Sequence, residues 1–189
     1  MTPPSLELHS EDRISVRGEP FRIYIDRERI ATRVAQLGAD IARDYKDKRP
    51  IFIGVLNGAY IFLADLMRAV SIDCEVDFLK LSSYGEAKIS SGIVRSLKDI
   101  DADISNRHVI IVEDIVDTGT SMAYILETLK AHNPASMRVA TLLHKSEATR
   151  VDVRIDYVGF DIDNLFVLGY GLDYGQVGRN LPDIFILDK

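Results

Sequence analysis

Short apolar runs alternate with amphipathic stretches along most of the chain. Phe21, Ile23 and Ile25 alternate with polar neighbours, the period of a short strand. Ile30, Val34, Leu37 and Ile41 then recur at spacings of four, three and four, which predicts an amphipathic helix with Asp26 as its N-cap. After a charged break over residues 46–50, residues 51–55 read as a buried strand, and Leu56-Asn57-Gly58 as a tight turn into a helix over 60–70. Cys74, Val76 and Phe78 alternate with Glu75 and Asp77, a further strand, followed by a polar loop over 82–92. Val109, Ile110, Ile111 and Val112 form a continuous apolar run, as in strands covered on both faces. A loop over 113–119 leads to a helix over 121–132, stopped by Asn133-Pro134. Strands are expected at 138–143, 156–160 and 166–168.

Strands alternating with helices predict an α/β fold with a mostly parallel central sheet flanked by helices. Ligands of such sheets lie beyond the carboxyl ends of the strands, which singles out the loops after Val55, Leu81, Val112 and Leu143. The 189 residues fit one domain, and neither a repeat nor a low-complexity tract is evident. A formal net charge of -6 argues against nucleic acid or an anionic membrane as a bulk partner, while leaving room for a locally basic pocket. Cys74 is the only cysteine, so no internal disulfide is expected, and a reducing, cytoplasmic setting is the simpler expectation. The first ten residues hold two prolines and lack the apolar core of a signal peptide, and the apolar runs are strand-sized rather than membrane-sized.

The most informative stretch is Val112-Glu113-Asp114-Ile115-Val116-Asp117-Thr118-Gly119-Thr120-Ser121. Glu113, Asp114 and Asp117 follow a buried strand, and a small hydroxyl-rich turn then opens a helix. Backbone N–H groups, hydroxyls and a glycine at a helix N-terminus can hold a phosphate monoester without a lysine. Adjacent residues of an extended chain point to opposite sides, so Glu113 and Asp114 are expected to diverge, with chemistry suited to vicinal hydroxyls or hydrated magnesium. An acidic loop ending in a Ser/Thr N-cap accounts for Thr118 or Ser121 alone. It does not account for carboxylates crowded at a strand end, whose repulsion needs a cation or hydroxyl donors to relieve it.

This stretch resembles the phosphoribosyl diphosphate signature of the type I phosphoribosyltransferases. The Glu-Asp pair, the Asp four residues after the Glu, and the later motifs resemble the hypoxanthine-guanine members of that family, from about residue 51 onward. The resemblance implies a small hood built from the chain ends, about residues 1–25 and 160–189, over a single domain. It implies Glu113 and Asp114 on the ribose hydroxyls and Thr118, Gly119, Thr120 and Ser121 on the 5′-phosphate. Asp117 would lie near N7 of the purine as general base. Leu56, Asn57 and Gly58 resemble the diphosphate loop, in which a non-proline cis peptide joins the first two. Ser83 and Tyr84, within Ser82-Ser83-Tyr84-Gly85, resemble the start of a covering loop on the diphosphate side, and Arg179 the arginine that reaches the diphosphate.

By the same resemblance Lys145 donates to the 6-oxo group of hypoxanthine or guanine, Phe166 stacks on the base, and Val167 reads its edge. Asp173 lies at the purine side as a second magnesium ligand, with Glu113 and Asp114 at the first. The implied partners are phosphoribosyl diphosphate and a 6-oxopurine, the cofactor Mg2+, and the assembly a homodimer or homotetramer. Two positions depart from the family pattern: Asn57 and Leu165 stand where many members carry a basic residue. Without the family, Lys145 reads as solvated surface, the 82–92 segment as a polar loop, and Phe166 and Val167 equally well as core. An RNA-binding regulator would want a basic face, and a phosphoacceptor receiver would place its acidic pair near the start of the domain. Neither fits.

Overall fold

The computed structural model describes residues 6–8, 12–83 and 94–188. Its larger sheet contains β4 (Ile51–Leu56), β5 (Glu75–Ser83), β6 (Val94–Lys98), β7 (His108–Val116), β8 (Ser136–His144) and β9 (Tyr157–Asp161), in the order β6-β5-β4-β7-β8-β9. All neighbours pair in parallel except β6, which runs antiparallel on β5 at one edge. The expected α/β architecture with a mostly parallel sheet is therefore present, with one strand, β6, that periodicity had not indicated.

Residue parity sorts the core. Phe52, Ile110, Val112, Ala140 and Leu142 point to one face, against α1 (Arg27–Asp44) and α2 (Tyr60–Ala69). Ile51, Ile53, Val109, Ile111 and Val139 point to the other, against α3 (Thr120–Lys130). The α1 residues predicted from periodicity, Ile30, Val34, Leu37 and Ile41, are all buried, and Asp26 accepts from Arg29 N–H as the N-cap.

A second sheet, all antiparallel, joins the two ends of the chain. Its strands are β1 (Leu6–Leu8), β2 (Arg13–Val16), β3 (Glu19–Ile25), β10 (Val167–Leu168) and β11 (Ile184–Leu187), in the order β1-β2-β3-β11-β10. Ile14, Val16, Phe21, Leu168, Leu181 and Phe185 form its own small core. Only β3 and β10 were foreseen from the sequence. β11 is held by residues some 160 positions earlier, Ile186 against Arg22 for instance, and no local period announces such a pairing.

Two boundaries shift for physical reasons. β7 runs on to Val116 because Glu113, Ile115 and Val116 pair with Thr141, Leu143 and His144 of β8. Glu113 and Asp114 thus stand in a strand, not in the loop expected over 113–119. The strand expected from 156 begins at Tyr157, because the Asp156 carboxylate is occupied in accepting from Val139 N–H.

Candidate active site

The sheet order places β4 beside β7, with β5 lying outward on one side and β8 on the other. That is a topological switch point, where the connections leave in opposite directions and open a crevice at the carboxyl ends. The turn after β4 and the turn after β7 both open there. The peptide joining Leu56 and Asn57 is cis, as the family resemblance implies, and Asn57 is exposed. Gly58 lies against the Asp114 carboxylate so closely that a Cβ there would sit 1.7 Å from Oδ2. Any larger residue would force the Asp114 carboxylate to move.

The Glu113 and Asp114 carboxyls stand close enough for each to perturb the other's titration. Asp114 Oδ1 curls back to accept from Ile115 N–H, which turns its carboxyl away from the direction an ordinary strand side chain takes. Burial, then repulsion from Asp114, pushes Glu113 well above the usual carboxylate range. Burial also raises Asp114, against the lowering effect of the Glu113 hydrogen bond, the Ile115 N–H and the charge of Arg179. Adjacent acids in low dielectric cannot both ionise cheaply, so the pair stands ready for a cation or hydroxyl donors.

Beyond β7, Asp114, Asp117, Thr118, Gly119, Ser121 and Met122 line a cavity of about 150 Å³. α3 begins behind Gly119, which has φ +82 and whose Cβ would meet Val151 O at 2.7 Å. No side chain caps this helix, so its first N–H groups face the cavity. The turn is clamped from behind, where Thr118 O accepts from Arg150 and Val151 N–H. Thr149 Oγ1 donates to Asp117 O or to Lys145 O, 3.2 and 3.1 Å away. Thr149 and its neighbours went unnoticed in the sequence, because a threonine after a strand carries no signature of its own.

Lys145 is buried, its side chain 10% exposed, and its Nζ lies 2.9 Å from Asp117 Oδ2 and 3.4 Å from Asn164 Oδ1. Asn164 is a neighbour the sequence reading missed. It sits two residues before Phe166, which is 46% exposed and therefore not core, whereas Val167 is buried in β10. Arg179 and Asp173 form an ion pair, Arg179 Nη1 also donates to Gly171 O, and Asp173 Oδ2 accepts from Gln176 N–H. A Cβ on Gly171 would lie 2.1 Å from Gly58 O, so the loop carrying Asp173 and Arg179 rests directly on the turn after β4. Ser83 ends β5, and Tyr84 with the expected covering loop lies outside the described residues. Among the described residues no three His, Cys, Asp or Glu side chains close up into a metal cage, so Asp173 does not join Glu113 and Asp114 in one cluster.

A mostly parallel sheet with a switch-point crevice, an acidic strand end and an uncapped helix over a small cavity is the architecture of an α/β protein whose ligand site lies at the carboxyl ends of its strands. The chain belongs to the phosphoribosyltransferase family: residues 23–175 match the family model of the phosphoribosyl transferase domain. It is 40% identical over 166 residues to a hypoxanthine-guanine phosphoribosyltransferase of Bacillus subtilis (strain 168), covering 88% of this chain and 92% of that one. It is 44% identical over 177 residues to the hypoxanthine-guanine phosphoribosyltransferase of Mycobacterium bovis, covering 90% and 88%. Among solved structures, a hypoxanthine-guanine phosphoribosyltransferase from Bacillus anthracis superposes with a TM-score of 0.84 at 38% identity, covering 88% of this chain and 98% of that one. A hypoxanthine phosphoribosyltransferase from Staphylococcus aureus gives a TM-score of 0.85 at 36% identity, covering 88% and 91%.

Proposed function

We propose that this chain is a purine-salvage enzyme that moves the 5-phosphoribosyl group from phosphoribosyl diphosphate to N9 of hypoxanthine or guanine. The products are IMP or GMP and diphosphate. One observation carries the reading: the uncapped N-terminus of α3 opens beside the Glu113-Asp114 pair, 2.9 Å-linked Asp117 and Lys145 standing next to both.

In this reading the first N–H groups of α3 and the hydroxyls of Thr118, Thr120 and Ser121 hold the 5′-phosphate. Glu113 and Asp114 accept from the two ribose hydroxyls. The purine enters between Asp117 and Lys145. Lys145 Nζ then donates to the 6-oxo group while Asn164 keeps its hold, and Asp117 is released toward N7. Phe166 offers its exposed ring to one face of the base. As N9 attacks C1′, the bond from C1′ to the diphosphate oxygen breaks, and the purine's proton passes to Asp117.

Arg179, already held by Gly171 O, donates to the departing diphosphate, as does the backbone of Leu56, Asn57 and Gly58. Ser83 and Tyr84 approach the same oxygens. The donor set fits magnesium, which favours carboxylate oxygens and keeps several waters: Glu113 and Asp114 would hold it on the ribose side, and Asp173 would be the second ligand on the purine side. When bound, magnesium neutralises the charge that develops on the leaving group. A cytoplasmic setting suits this chemistry, and no helix among the described residues is long and apolar enough to cross a membrane.

The test is a product assay with phosphoribosyl diphosphate and magnesium against hypoxanthine, guanine, xanthine and adenine. Nucleoside monophosphate should form from hypoxanthine or guanine. Turnover of adenine alone would overturn the role given to Lys145, and no association with phosphoribosyl diphosphate by calorimetry would overturn the phosphate cradle.

A further inference from the structure

Three aromatic rings meet where the small antiparallel sheet overhangs the crevice. Phe166 lies 5.2 Å from Tyr174, edge to face at 74°, and 6.3 Å from Phe21; Phe21 and Tyr174 are 6.3 Å apart. Phe21 is fully buried in the core of that sheet, so it is a fixed wall. Tyr174 is not fixed in this way. It begins a tight turn in which Tyr174 N–H donates to Val177 O, and its ring is only half buried.

What lies on the outer face of Tyr174 is Arg17, whose guanidinium carbon is 5.0 Å from the ring centroid. Arg17 comes from the opposite end of the chain. It and Gly18 form the two-residue turn of the β2–β3 hairpin, with φ +55 and +82, and Val16 pairs with Glu19 across it. Two consecutive positive φ values define the turn type whose twist suits a hairpin, and that turn normally favours Asn or Gly at its first position. An arginine there is unusual, and its side chain runs along Gly175, where a Cβ would lie 2.3 Å from Nη1. A cation held over a ring face is attracted by the ring's quadrupole, and an edge-to-face neighbour then inherits a defined orientation.

We propose that Arg17 and Tyr174 are positioning residues for the purine: Arg17 presses Tyr174 into place, and Tyr174 sets the tilt of Phe166 against the base. The inference rests on the purine site proposed above. It assigns the β2–β3 hairpin a part in base affinity.

The experiment separates the two substrates. Arg17→Ala should raise KM for the purine about two- to five-fold, and Tyr174→Leu about ten-fold, with KM for phosphoribosyl diphosphate and the thermal midpoint nearly unchanged. Tyr174→Phe and Arg17→Lys keep the ring and the cation and should restore most of the purine affinity. Equal rises in both KM values, or unchanged purine KM in both variants, would overturn the inference. The chain has no tryptophan, so Phe166→Trp supplies a single tryptophan, excited apart from the eight tyrosines, at the proposed stacking face. Quenching of that fluorophore by hypoxanthine or guanine tests the purine site itself. If quenching occurs and adding Arg17→Ala leaves its midpoint in place, the positioning role fails while the purine site stands; no quenching at all removes the site and the inference with it.

Discussion

Carboxylates stand at both ends of the six-stranded sheet, and their surroundings are opposite. At the amino-terminal end of β8 and β9, Asp44 accepts from Tyr157 Oη at 2.8 Å and from Arg138 Nη1 at 3.3 Å. The Tyr157 hydrogen bond and then the charges of Arg43 and Arg138 outweigh burial and hold Asp44 below the usual carboxylate range. At the carboxyl-terminal end, Asp114 accepts only from Ile115 N–H among its described contacts, and that bond and the charge of Arg179 do not outweigh burial, so Glu113 and Asp114 are both pushed up. One end is complete in itself and serves stability. The other is left short of positive charge and hydrogen-bond donors, which is the condition of a site that a charged ligand completes.

The contrast can be broken most forcefully at Asp117. Asp117→Asn should cut kcat by about 10²–10⁴-fold, the usual worth of a positioned proton acceptor, and change the Kd for phosphoribosyl diphosphate only a few-fold. Rates and calorimetry together decide this, and equal losses in both would count against the role. Next comes Gly58→Ala, whose Cβ would overlap Asp114 Oδ2 and displace that carboxylate. A displacement of about 1 Å at such a site lowers kcat/KM by roughly 100-fold.

Glu113→Gln should show both faces of the acidic pair. It should weaken phosphoribosyl diphosphate about ten-fold, through loss of a charged acceptor. It should also stabilise the free protein at neutral pH. The folded pKa of Glu113 is raised, so the unfolded chain gives up its proton first as pH rises. Wild-type stability therefore falls from the ordinary glutamate range upward, and the variant should lack that fall in thermal melts taken across pH.

The smallest effect belongs to the opposite end. Asp44→Asn should cost about 1–2 kcal/mol of stability with kcat unchanged. Here the sign reverses: Asp44 is held low, so its contribution is present above the unfolded carboxylate range and is lost as pH falls through the folded value. Denaturant melts at pH 3 to 7 should show the variant and wild type converging in acid.

Much of the fold was legible because its signals are local. The α1 stripe, the Asp26 cap and the apolar runs of β4 and β7 are each complete within a dozen or so residues, and all appear where the period placed them. The turn between β7 and α3 was legible for the same reason: strand, acids, glycine and helix are contiguous. Lys145 was not legible from local pattern, since only folding buries it against Asp117 and Asn164. Nor was the pairing of Asp173 with Arg179, two residues that the resemblance assigns to different tasks.

By itself, then, the order of residues settled the helices, the strands of the larger sheet apart from β6, which of their faces are apolar, and where a helix starts behind a glycine turn. These depend on side-chain period and on the free N–H groups of a helix start, both properties of neighbouring residues. The tertiary structure alone decided that Glu113 and Asp114 are buried beside one another, that Thr149 to Val151 clamp the turn before α3, and that Arg17 reaches Tyr174 across 157 positions of sequence. Contacts of that kind follow from how twisted sheets bring distant strand ends side by side, and no periodicity along the chain encodes them.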